Sequence, residues 1–219
     1  SSSITVTMPD GGENWVQGSY QTIQWTYIGT PGTAVNIEVL KNATIVAVIP
    51  GISIGTGGSG SFGLTVPYST PVAADYRVRV TSASNPAYTD TSNGPFMISP
   101  AIHVTSPDGG ENFKTESTLP MSWTYSGGPG STVNIDVLKG GAILKTLPGI
   151  SIGMGGSGSY SVNIPASTPL GSDYRIRVTS TSYPTCADTS DEPFTIGVDS
   201  STSITVTTPN GGENWVQGS

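Results

Sequence analysis

The chain has 219 residues, room for about two ordinary domains. Only 11% of them are charged, Gly and Pro number 29 and 17, and Ser plus Thr exceed a quarter, yet 35% hydrophobic residues in regularly spaced runs exclude a disordered polymer. The formal net charge of -7, with no cluster among the eight Lys and Arg, excludes the basic footprint that a nucleic acid requires.

No apolar run approaches the roughly 20 residues that cross a bilayer, and no charged, apolar, small-residue series marks a signal peptide, so a soluble chain is predicted, either a mature form or an excerpt. A single cysteine, Cys186, rules out an intramolecular disulfide and a cysteine metal cage.

Residues 4–98 align with 102–196 at a constant offset of 98 without a gap: Ile4 meets Ile102, Trp25 meets Trp123, Asp75-Tyr76-Arg77 meets Asp173-Tyr174-Arg175, and Phe96 meets Phe194. Ser203 to Ser219 then repeats Ser3 to Ser19 with two changes. The expected domains are therefore 1–99 and 100–198, with 199–219 a linker and the first strands of a third repeat. Strands are predicted at 3–8, 20–27, 33–41, 44–49, 59–66, 74–82 and 95–99 of the first copy, and at the equivalent places of the second. Each is a run of alternating apolar and polar residues bounded by Gly, Pro, Asn or Ser, and no segment has a helical period. Seven short strands in about 95 residues is the count of an all-β, immunoglobulin-like or fibronectin-like sandwich. Trp25 and Trp123 fall on the core face of the second strand. Tyr76 and Tyr174 open a strand after Thr-Pro-x-x-x-Asp, where a tyrosine corner ties the hydroxyl to upstream backbone.

The strings PDGGENWVQGS, Ile-Gln-Trp-Thr-Tyr, Val-Asn-Ile-Glu-Val-Leu-Lys, Gly-Ser-Gly-Ser-Phe, Asp-Tyr-Arg-Val-Arg-Val-Thr-Ser and Asp-Thr-Ser-x-x-Pro-Phe resemble the Ser-Thr-rich surface-anchored repeat family. That family is related to the amino-terminal module of yeast cell-wall synthesis proteins and is common in archaeal and bacterial surface proteins. The resemblance implies an immunoglobulin-like sandwich on the cell surface, without catalytic residues or cofactor.

His103, the one histidine, alternates with Ile102 and Val104 and is placed on a wet face, so no triad or histidine metal site is expected. In Pro9-Asp10-Gly11-Gly12-Glu13, two readings stand. Asp10 and Glu13, with Asp90 and Asp188, are candidate calcium ligands; alternatively, the glycines supply positive φ and Glu13 caps backbone amides. Asp10 becomes Asn210 in the third copy, so ligand charge is not held constant. Trp15, Phe113 and Trp215 follow this loop, either packed over the sandwich end or a neighbouring domain, or exposed as a sugar platform. Glu38 and Asp136 lie opposite arginines of a neighbouring strand and are expected to pair with them. Asn42-Ala43-Thr44, at a hairpin tip that reads Gly140-Gly141 in the second copy, is a candidate glycosylation site. Cys186 stands where the first copy has Tyr88, as a small buried thiol or an intermolecular disulfide partner.

These readings converge on a non-enzymatic, extracellular repeat protein of a stalk, sheath or filament whose partners are adjacent repeats or copies of itself. The competing reading is an adhesin or carbohydrate-binding module that holds cell-surface glycans. Residues 203–219 are expected either to continue covalently into a third domain or to complete a neighbouring subunit by strand addition.

Overall fold

The computed structural model describes residues 1–198, 205–208 and 211, and these include no helix. The first copy folds as β1 (Ser3–Met8), β2 (Asn14–Val16), β3 (Tyr20–Ile28), β4 (Ala34–Lys41), β5 (Thr44–Ser53), β6 (Ser59–Thr65), β7 (Ala73–Ser82), β8 (Thr89–Thr91) and β9 (Phe96–Ser99). The second folds as β10 (Ile102–Ser106), β11 (Asn112–Lys114), β12 (Thr118–Tyr125), β13 (Thr132–Lys139), β14 (Ala142–Ser151), β15 (Ser157–Asn163), β16 (Gly171–Ser180), β17 (Ala187–Thr189) and β18 (Phe194–Gly197). In the first copy β1-β3-β6 form one sheet and β2-β9-β7-β4-β5 the other, with β8 beside β7; β10 to β18 repeat both sheets in the same order. The chain is all-β, a tandem of immunoglobulin-like sandwiches.

Period-two alternation produces this arrangement. Along β7 the side chains of Tyr76, Val78 and Val80 are buried between the sheets while Arg77 and Arg79 remain half-exposed on the other face. Trp25 lies across the core centre, its indole nitrogen donating to the Ile54 carbonyl at 3.0 Å; Trp123 donates to Ile152 at the same distance. Gly60 and Gly158 lie beneath these rings, where a Cβ would come within 2.5 Å of the indole, so no larger residue fits. The Tyr76 hydroxyl donates to the Pro71 carbonyl at 2.7 Å, and Tyr174 makes the same bond to Pro169, so both tyrosine corners are formed.

Nine strands per copy replace the seven expected, because β2 and β8 (β11 and β17 in the second copy) are three-residue strands too short to show alternation. Strand β2 arises because the chain changes sheet: after β1 the loop at 9–13 carries it across the sandwich end, and β2 pairs parallel with β9. This crossing turns Trp15 inward. Its ring lies 4.5 Å from that of Phe96 in its own repeat's core and it is 4% exposed, so the aromatic does not cover a neighbouring domain. Strand β5 also runs on to Ser53, past its expected end, with Pro50 on the unpaired outer edge of its sheet. The expected third repeat at 203–219, Trp215 included, lies almost wholly outside the described residues.

Candidate functional site

The glycine loop is a carboxylate clamp. Glu13 accepts hydrogen bonds from the backbone amides of Asp10 (2.7 Å) and Gly11 (2.9 Å), and Glu111 accepts them from Asp108 and Gly109, both at 2.8 Å. Desolvation opposes ionisation of Glu111, but the amides of Asp108, Glu111 and Gly109 outweigh it and hold its carboxyl below the usual range. Asp10 reaches across to the β8–β9 turn, where its two oxygens accept the backbone amide of Asn93 at 2.7 Å and its carboxamide at 2.9 Å; these bonds lower the Asp10 pKa. Asp90 accepts the Val6 amide at 2.8 Å and Asp188 that of Val104 at 2.7 Å, at the points where β1 and β10 slip register. All four candidate calcium ligands thus hold backbone amides, and no three His, Cys, Asp or Glu among the described residues converge on a metal-sized space.

His103 is exposed, with Nδ1 3.1 Å from the Asp188 carboxylate. Arg79 pairs with Glu38, and Arg177 with Asp136 at 2.7 Å, each across neighbouring strands. Cys186 is fully buried, and burial raises its thiol pKa. Phe113 meets Phe194 edge-on at 5.5 Å. Asn42 and Thr44 are exposed on either side of the hairpin tip.

An apolar cleft of about 470 Å³ opens between the free edges β5 and β6, lined by residues including Trp15, Leu64, Tyr76 and Phe96; its second-repeat counterpart is about 260 Å³. Lys41, the charged residue of its lining, is held by Asp75 at 3.2 Å. Convergent polar groups that would orient a substrate are not gathered there.

The most specific contacts join the two repeats. Tyr68 leaves the first sandwich and stacks on Tyr183 of the second, with ring centroids 4.6 Å apart and planes 25° from parallel. Its hydroxyl accepts the Gly128 amide at 2.5 Å, and its carbonyl accepts the Thr185 hydroxyl at 2.8 Å. A Cβ on Gly18 would fall 2.3 Å from the Tyr68 ring, and one on Gly127 would fall 2.6 Å from its hydroxyl, so two glycines make the slot it occupies. Val16 and Tyr68 pack on the core of the second repeat. Gln17 is buried beside them, donating to the Thr70 carbonyl at 2.6 Å. Sequence reasoning missed this junction because Tyr68 aligns with Ala166, Tyr183 with Asn85 and Thr185 with Ala87: the side chains that meet there are ones in which the copies differ. The signal available was that these differences fall at opposite ends of the two sandwiches.

No curated protein matches the chain. Among solved structures it is similar to the titin domains Z1Z2 in complex with telethonin (17% identity, 90% of this chain and 98% of that one, TM-score 0.28). It is also similar to the fibronectin(III)-like modules of CbhA from Clostridium thermocellum (14%, 89% and 94%, TM-score 0.27). At such scores these overlaps add nothing to the strand order above. Residues 106–196 match the model of the Kre9/KNH-like N-terminal Ig-like domain, the module to which the sequence motifs pointed.

Proposed function

We propose that the chain is a non-catalytic cell-surface repeat whose sandwiches stack end to end as a stalk, sheath or filament, its partners being neighbouring repeats and copies of itself. The observation that carries this is the Tyr68 junction: a stacked ring, two hydrogen bonds and a two-residue connection, Pro100-Ala101, between β9 and β10 make one sandwich the seat of the next. The family match supports a cell-wall setting. No helix among the described residues is long and apolar enough to cross a membrane. Trp15 is buried and Phe113 packs on Phe194, so neither supplies the exposed sugar platform that the competing reading would place at these positions. On the same reading, 1–99 and 100–198 are the two units and residues 203–219 open another. Electron microscopy of the native material tests it: filaments or layers are expected, and dispersed particles retained on a glycan column would overturn it in favour of an adhesin.

A further inference from the structure

Strand β5 is an outer edge with no charged residue from Thr44 to Ser53, and Ile45, Val46 and Val48 are 44%, 53% and 55% exposed. A neutral, apolar edge templates pairing with other chains unless something blocks it, and Pro50, matched by Pro148 in the second repeat, guards only the far end of β5 and leaves Thr44 to Ile49 open. The second repeat shows one solution. Its edge β14 exposes Ile143 and Leu144, but carries exposed Lys145 where the first repeat has Ala47. An edge lysine is a common guard against pairing.

The first repeat differs at a second place. Its β4–β5 hairpin turns through Asn42 and Ala43, both at positive φ (47° and 66°), where the second repeat has Gly140 and Gly141. Asparagine tolerates this conformation, so the turn alone accounts for Asn42. It does not account for Thr44, which stands where the second repeat has Ala142 and completes an Asn-x-Thr acceptor. Both residues are exposed, and the Asn42 carboxamide makes no hydrogen bond to a described residue. At about 3.3 Å per residue, Val48 lies about 20 Å from this tip, within reach of a short oligosaccharide.

We propose that Asn42 carries an N-linked glycan that shields the neutral edge β5, serving the first repeat as Lys145 serves the second. In the transfer, the Asn42 amide nitrogen loses one proton to a base of the transferase and bonds to the anomeric carbon of a lipid-phosphate-linked oligosaccharide. The bond from that carbon to phosphate oxygen breaks, and the lipid phosphate leaves with the electron pair. The inference rests on the surface location proposed above.

The test uses protein from its own cells. Protease shaving of intact cells reports location, and the mass of tryptic peptide 42–77 reports modification. A surface protein with this peptide heavier by an oligosaccharide is expected. A surface protein with the bare peptide overturns the glycan alone, whereas absence from the surface overturns the location and the glycan with it. The double variant N42G/A43G copies the relaxed turn of the second repeat. It should lose the added mass and associate at least several-fold more in sedimentation, and adding A47K should return it to the original state. An N42G/A43G chain that associates no more than the original overturns the shielding role.

Discussion

The two repeats are a natural double mutant at many positions, and comparing them separates what the sandwich needs from what each copy does. At the centre of the core they coincide: Trp25 and Trp123 make the same bond at the same length, over Gly60 and Gly158. Buried serines also recur. Ser82 and Ser180 donate to the carbonyls of Pro31 and Pro129, while Ser92 and Ser190 accept the amides of Val78 and Ile176. At the ends and edges they diverge, as in Tyr68 against Ala166 and Ala47 against Lys145. The interior specifies one fold twice, and the surface assigns each copy a place in the array.

The largest expected effect tests the equality of the cores. Trp25→Ala and Trp123→Ala should each destabilise their own repeat by about 3–5 kcal/mol, the usual loss for a large core aromatic. In a denaturant melt each variant should lose one transition and leave the other in place. Unequal losses would break the equivalence.

A smaller effect should separate the ion pairs. Asp136 is 7% exposed and accepts both the Thr146 hydroxyl at 2.6 Å and Arg177; Glu38 pairs with Arg79 alone, because Val48 stands in place of Thr146. Asp136→Asn should cost about 1.5–3 kcal/mol, the range for buried bonds to a charged group, and Glu38→Gln about 0–1 kcal/mol. Equal costs would mean that the Thr146 bond adds nothing.

The junction comes next. Tyr68→Ala reproduces the residue of the second repeat and removes a ring stack and a hydrogen bond, together about 1–2 kcal/mol. Each sandwich should keep its own melting behaviour while their mutual stabilisation falls, and small-angle scattering should report a wider spread of end-to-end distances. An unchanged distribution would show that the short connection alone sets the geometry.

The parts legible in the sequence are those the copies share. Alternation at Val35-Asn36-Ile37 and Tyr76-Arg77-Val78 marks long strands, since one face must be apolar wherever a sheet covers a core. Strands β2 and β8 carry no such mark, being defined by pairing with β9 and β7 rather than by their own pattern. Trp15 admits several placements from sequence because its direction depends on the chain changing sheet, a long-range event. Tyr68 is silent for the opposite reason: the repeat marks positions where the copies agree, and the side chains that meet at the junction are ones in which they differ.

The smallest effect concerns acid and falls on different residues in the two clamps. Glu111 is depressed by the amides of Asp108, Glu111 and Gly109 despite its desolvation, and Asp10 by its bonds to Asn93. A carboxyl whose pKa is lower folded than unfolded adds stability that is complete above the unfolded value and lost as pH falls through the folded one. The losses should therefore begin near the ordinary values of 4.5 for Glu111 and 3.8 for Asp10, and deepen below them. Glu111→Gln should lower the melting temperature of the second repeat slightly at pH 7, and its difference from the unaltered chain should shrink as pH drops below 4.5. Asp10→Asn, which introduces the residue that the sequence carries at the equivalent position 210, should do the same for the first repeat, starting below 3.8. A difference that stays constant down to pH 2 would mean that the carboxylates act by shape alone.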